Sequence, residues 1–308
     1  MNGQAERQTA DAVLMIRPAR FGANPETAPS NRFQEGGAGG DVPGIARWEF
    51  DGLVERLRAA GVAVHVADDT PEPAKPDACF PNNWVSFHAD GSVVLYPMLA
   101  PSRRRERRPE LIDALRAAGF RTARTVDLSG WEAQGESLEG TGSLVLDRCH
   151  RVAFACRSPR TTAAALADFG ARLGYRVVAF DAVGPAGEPL YHTNVMMAIG
   201  EGFAVVCAEA IPDAASRALV TGELVRAGHA PIEIPAAAMH GFAGNLLALR
   251  AQGQQLIVLS DAAWASLGGA EQQALARHGR IVTAPIPTIE RHGGGSVRCM
   301  IAELFLPH

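Results

Sequence analysis

The sequence predicts an α/β fold, a five-bladed α/β propeller built from pseudo-repeated strand-strand-helix-strand units. Two observations carry this expectation. Helical stretches that stop at a glycine and pass straight into an apolar strand recur along the 308-residue chain, at intervals of roughly 50–60 residues, the scale of a structural repeat. Between successive helix-strand pairs lies a pair of short strand-like segments. Similar units with no linker between them bury a common core by closing into a ring, which sets the last strand beside the first. The alternative is an ordinary α/β sandwich of irregular order; the regular return of helix, glycine and strand favours the ring.

In chain order, residues 1–11 are polar and read as a disordered tail, leaving 12–308 as a single catalytic domain. Residues 12–17 form a buried strand that ends at Pro18. A turn-rich loop over 19–35 carries Phe21, Asn24 and Phe33 and is placed to fold over a site. Glycines 36–40 read as mobile. A helix from about Ile45 to Ala60 sets Phe50, Leu53, Val54 and Leu57 at helical spacing, with Gly61 as its C-cap and a strand at 62–66. The pattern returns with helices at 109–119, 161–173, 213–226 and 261–277, each leading to a strand. The strand pairs are 84–88 with 92–96, 143–147 with 152–156, 194–199 with 203–207, 245–250 with 256–259, and 297–306 with 12–17.

Composition narrows the function. The chain is 47% hydrophobic and 20% charged, with net charge −4, which suits a globular chain with a sizeable core and gives no basic field for nucleic acid. No apolar run approaches the ~20 residues of a membrane span, and there is no signal-peptide core. A cytoplasmic location is expected. The five cysteines, Cys79, Cys149, Cys156, Cys207 and Cys299, include no CxxC pair and no Cys/His zinc spacing, so free thiols and no metal are expected. Four read as structural. Cys299 differs, because Gly293, Gly294 and Gly295 lead into a β-type segment with the cysteine at its mouth, near solvent, where a thiolate could react.

Four further constellations carry chemistry. Asn82 and Asn83, before Trp84, offer paired amides that donate and accept toward a planar ligand. Glu139 sits in a glycine-rich turn, Leu138-Glu139-Gly140-Thr141-Gly142-Ser143, and could orient a cationic or titrating group. His192 opens an apolar strand and could act as acid and base. Arg160 stands near a helix start, and Arg103 and Arg104 lie in an arginine-rich run; all three could hold a carboxylate. Each taken alone is a common turn or solvated face. Together a Cys, a His, a Glu, paired amides and an Arg, spread along a pseudo-repeated chain, are what thiol catalysis at a ring centre needs.

These segments, LEGTGS, YHTN, GGGSVRCM, FPNNW and SPRT, resemble the guanidino-group-modifying superfamily of arginine deiminases, dimethylarginine hydrolases and amidinotransferases. With MIRPARFGANPETAPSN and YPMLAPSRRRER they are most similar to its citrulline-hydrolase branch, over nearly the whole chain after residue 12. The resemblance implies a five-bladed propeller, no cofactor, a small amino-acid substrate and outer helices suited to a homodimer. It implies Cys299 as nucleophile, His192 as acid and base, Glu139 as the carboxylate that holds substrate and proton, and Arg160 on the substrate carboxylate with Arg103 or Arg104 assisting. Phe21 and Asn24 of the loop are expected nearest the substrate. Arginine deiminases carry Asp where this chain has Asn83 and Asn194. Neutral amides there suit a ureido group better than a guanidinium, because a buried carboxylate without a cation costs several kcal/mol.

Overall fold

The computed structural model describes residues 6–36 and 40–308. Among the described residues, fifteen strands fall into five three-stranded sheets. The first unit contributes β1 (Ala12–Arg17) and β2 (Ala63–Asp68). The second holds β3 (Val85–Phe87), β4 (Ser92–Leu95) and β5 (Arg124–Asp127), and the third β6 (Val145–Asp147), β7 (Val152–Cys156) and β8 (Arg176–Phe180). The fourth holds β9 (Met197–Gly200), β10 (Phe203–Val206) and β11 (Ala230–Glu233), and the fifth β12 (Leu247–Ala251), β13 (Gln254–Ser260) and β14 (Arg280–Ala284). β15 (Ala302–Leu304) returns to complete the first sheet. In each sheet the middle strand pairs antiparallel with an inner strand and parallel with an outer one, as in Ala12↔Leu304 and Ala12↔Ala63. Parallel pairing needs a crossover, and a helix supplies it.

Each sheet touches the next. β15 packs on β3, β6 on β9 and β9 on β12, while the second and third sheets share an apolar cluster with Val94, Tyr96, Ala153 and Ala155. The fifth sheet meets the first through a bridge, Ala10↔Leu249, and through the helix Val42–Ala59, which lies on β14. The contacts therefore close a cycle, with β15, β3, β6, β9 and β12 as the inner strands. The apolar core is distributed between helices and sheets. The axis is polar, a space of about 30 Å³ lined by Gln8, Arg148, Asn194, Arg298 and Glu303 among others.

Helix and strand positions match expectation apart from particular places. The helix expected over 261–277 is two, Asp261–Ser266 and Gly269–His278, since Leu267 and Gly268 leave helical geometry. Gly174 ends its helix left-handed at φ 68°, as a C-cap should. Gly279 is extended instead, and is a glycine for space, since a Cβ there would lie 2.6 Å from the Gln255 carbonyl oxygen. The stretch expected as a single strand over 297–306 begins with a helical turn, Val297–Met300. The tail is shorter than expected. Glu6 salt-bridges Arg148 at 2.7 Å, and Gln8 donates to Leu146 and Ile199 carbonyls, because buried guanidinium and carbonyl groups need those partners. Residues 1–5, and 37–39 of the glycine run, lie outside the described residues. Among those described, no helix is long and apolar enough to cross a membrane.

Candidate active site

The residues just before the inner strands converge. The helix Pro287–Gly293 closes on left-handed Gly294, and Ser296 then starts the turn Val297–Met300 that holds Cys299. Glu49 fixes the start of that helix, accepting from the Thr288 and Ile289 amides. Cys299 is 2% exposed, so it lies in a buried recess and not near solvent as expected. Burial pushes its thiol up, against hydrogen bonds from Asn245 and Asn194. Asn194 Nδ2 stands 3.5 Å and Asn245 Nδ2 3.4 Å from Sγ, and Asn194 Oδ1 is buried without a partner.

Glu139 occupies the entrance of a tight turn, Gly140–Ser143. Gly140 takes φ +46°, and a Cβ on it would lie 2.2 Å from the Asn82 carbonyl oxygen, so the turn can press against the Asn82–Asn83 backbone only as glycine. A Cβ on Gly142 would lie 2.5 Å from Asn83 Nδ2 and 2.7 Å from His192. His192 donates from Nε2 to Glu139 Oε2 at 2.9 Å. Burial lowers the imidazole to about 4, against the pull of Glu139, so it is neutral at pH 7. Burial alone would raise the Glu139 carboxyl, but Arg160, His192 and Arg103 together hold it well below the usual range.

Arg103 is the hub of the charged floor. It donates to Asn83 Oδ1 at 2.7 Å and to both Glu106 oxygens at 3.0 and 2.9 Å, and stands 3.7 Å from both Glu139 and Asp77. Burial raises Glu106 to about 7 despite Arg103. It also raises Asp77, which accepts from Asn24 at 2.7 Å.

The loop over 19–35 covers the recess. Arg160 points into it, donating to Ser30 Oγ and to the Thr27 carbonyl, each at 3.0 Å, with its plane over Tyr191. Asn31 donates to the Gly293 and Gly294 carbonyls. The space enclosed among Thr27, Asn31, Asp77, Phe80, Asn83, Arg103, Arg160, Tyr191, His192, Gly293, Gly294, Gly295 and Cys299 is about 10 Å³, room for about one water.

Of the residues expected here, Cys299, His192, Asn83, Arg103 and Arg160 line the recess. Glu139 and Asn194 stand directly behind His192 and Cys299. Phe21 and Asn24 do not line it: Asn24 is turned to Asp77 and Ser102, Phe21 packs by Gly293, and Thr27 and Asn31 are the loop residues that do. Asn82 only supports Asn83, accepting from its Nδ2. Arg104 turns away to the Met98 and Leu99 carbonyls, because a helical residue next to Arg103 faces another side. Cys149, expected as structural and buried, is exposed in a hairpin turn. Asn245 was not anticipated. The pseudo-repeat carries its signal: Asn83 and Asn245 each stand two residues before an inner strand, Asn194 and Cys299 three.

Comparison with known proteins places this geometry. The chain is similar in fold to the arginine dihydrolase ArgZ of the cyanobacterial ornithine-ammonia cycle, with TM-score 0.76 and 18% identity, covering 96% of this chain and 41% of that one. It therefore spans about two fifths of the full-length relative. Against the substrate-bound N-terminal domain of ArgZ the TM-score is 0.74 at 19% identity, over 96% of this chain and 99% of that domain. A citrulline complex of DDAH from Pseudomonas aeruginosa gives 0.66 at 14%, over 96% and 100%. No curated protein sequence matches. At these identities the structures show a shared fold. Residues 17–306 match the family model described as N,N dimethylarginine dimethylhydrolase, eukaryotic, and the chain belongs to that family, within the guanidino-modifying superfamily.

Proposed function

We propose that this hydrolase cleaves the ureido group of citrulline. The observation that carries the reading is the character of the polar groups around Cys299. Its neighbours Asn194 and Asn245 are neutral amides, and Asn83 is another at the recess wall. The carboxylates nearby are already held: Glu139 by Arg160, Arg103 and His192, Asp77 by Arg103 and Asn24, Glu106 by Arg103. A ureido group needs donors for its oxygen and acceptors for its N–H groups, which amides supply.

In this mechanism the Cys299 sulfur attacks the trigonal carbon and its proton leaves with the departing nitrogen. His192, neutral at rest, relays protons, and Glu139 holds the imidazolium that forms. Departure of ornithine leaves a carbamoyl thioester. Water then releases the thiol and carbamate, which falls to ammonia and carbon dioxide. Citrulline plus water balances ornithine, ammonia and carbon dioxide. A substrate of this size exceeds the present space, so the loop over 19–35 must move. Once freed from Thr27 and Ser30, Arg160 is placed for the substrate α-carboxylate, with Arg103 holding the floor.

The family and ArgZ favour a second reading, a guanidino substrate such as arginine or a methylarginine. The charge balance supports it too. Asp77, Glu106 and Glu139 pair with Arg103 or Arg160, and a substrate cation beside them would favour their ionised forms and draw the thiol toward thiolate.

Product analysis separates the readings. Citrulline, arginine and dimethylarginine are supplied in parallel. Ornithine and ammonia from citrulline alone support the first. Citrulline accumulating from arginine marks a deiminase, ornithine from arginine a dihydrolase, and dimethylamine release a dimethylarginine hydrolase. Cys299→Ala should lose turnover at least a thousandfold, with its thermal midpoint within about 2 °C of the parent; substantial residual activity would remove Cys299 as nucleophile.

A further inference from the structure

Far along the third inner hairpin from Cys299, Asp147 ends β6, His150 lies in the β6–β7 turn, and His229 follows the helix Ala214–Arg226 of the fourth unit. Asp147 is fully buried and His229 is 8% exposed, while the His150 side chain is half open. His150 Nδ1 and His229 Nε2 aim at the same oxygen, Asp147 Oδ2, from 2.9 and 2.8 Å. Among the described residues this is the one group whose ligand atoms from three His, Cys, Asp or Glu side chains all lie within 4.8 Å of one another. His229 Nδ1 is buried and has no partner. Neither tautomer of that ring is therefore fixed by a second hydrogen bond, and Nε2 can present a lone pair at the loss of one bond, that to Asp147.

We propose that Asp147, His150 and His229 hold a divalent cation of the zinc class across the seam between the third and fourth units. Two imidazoles and a carboxylate are the donors zinc, cobalt and nickel prefer. Bond lengths of about 2.0–2.2 Å put tetrahedral ligand atoms roughly 3.4 Å apart; the two His–Asp147 separations, 2.9 and 2.8 Å, are shorter, so the rings must back away by about half an ångström to admit the ion. The ion takes the place of the two N–H hydrogens now directed at Asp147, each imidazole staying neutral with its proton on the other nitrogen, His150 Nε2 and His229 Nδ1, and the half-open side of His150 leaves the fourth position to water. Its role is to clamp the β6–β7 hairpin to the loop at His229. Spacing in the sequence could not show it, because the ligands stand 82 residues apart at the extreme.

The test uses the full chain with Cys299→Ser, so that zinc cannot be held by the catalytic thiol. Titration calorimetry with zinc chloride should give one saturable site per chain. Zinc should raise the thermal midpoint by binding the folded state alone. Adding His150→Ala, a half-exposed position that tolerates truncation, should weaken binding tenfold or more and remove the thermal shift. Cobalt should give a tetrahedral visible spectrum in the first protein and lose it in the second. No saturable site, or a loss of affinity under tenfold on His150→Ala, overturns the proposal. If His229→Gln fails to fold, the His150 variant still decides.

Discussion

Asn245 and Asn194 each bring an amide N–H toward one sulfur, so the thiolate of Cys299 would be stabilised by dipoles instead of a cation. A hydrogen bond to a charged group contributes about 1.5–3 kcal/mol. Asn245 also donates to the Asn194 carbonyl at 2.9 Å, so it positions the second donor as well. Asn245→Ala should therefore lower kcat by roughly ten- to a hundredfold and move the pH profile of Cys299 alkylation upward. A purely structural role would lower the thermal midpoint and leave that profile in place. In the parent, burial raises the thiol; alkylation without substrate should still be climbing at pH 9. A plateau near neutrality would mean that the thiolate forms at rest.

At the scale of one element, the turn Gly140–Ser143 joins two kinds of constraint. A Cβ at Gly140 meets backbone, the Asn82 and Asn83 carbonyl region, in a left-handed conformation. Nothing there can swing aside, so Gly140→Ala should destabilise the fold by about 1–3 kcal/mol. A Cβ at Gly142 meets side chains, Asn83 and His192, which can move. Gly142→Ala should lose most activity at a smaller thermal cost. Denaturant melts and turnover measured on both variants check the contrast; equal thermal losses with equal activity would refute it. The strands and most helices were legible as elements because apolar spacing and glycine stops report local burial. The break at Leu267 and Gly268 has a local mark, the Gly268-Gly269 pair, which the continuous apolar spacing hid; the helical turn at Cys299 has no comparable mark.

At the scale of the whole molecule, a buried ion chain ties the N-terminus to the ring. Glu6 meets Arg148 at 2.7 Å, Arg148 stands 3.9 Å from Glu303 and its guanidinium lies over the Phe305 ring, and Arg298 meets Glu303 at 2.8 Å. Residues from both ends of the chain thus share one cluster with the third unit. Burial would raise the Glu6 carboxyl, but Arg148 and His88 depress it well below its ordinary value. A depressed carboxylate contributes stability that is present above its unfolded pKa, about 4.3, and is lost as pH falls toward the folded value. The stability difference between the parent and Glu6→Gln should accordingly be largest above about pH 5 and shrink on acidification toward pH 2. A difference independent of pH would mean that Glu6 acts by packing alone. Breaking a buried pair typically costs about 3–5 kcal/mol, so removal of residues 1–10 should lower the thermal midpoint clearly.

The sequence by itself determined the fold class and most of the chemical inventory. Repeated helix-glycine-strand units are set by local periodicity, and Cys299, His192, Glu139, Asn83 and Arg103 stand out only as a set, each alone being a common turn or solvated face. The tertiary structure decided what those groups face. Arg160 is turned into the covering loop, Arg104 is turned away, Asn24 serves Asp77, and Asn245 joins the thiol. Direction, burial and charge pairing arise only when the five units meet, and in the recess at Cys299 groups from distant parts of the chain share a space too small for more than one water. Local sequence cannot encode that closeness, and it is that closeness which sets the ionisation of Glu139 and His192.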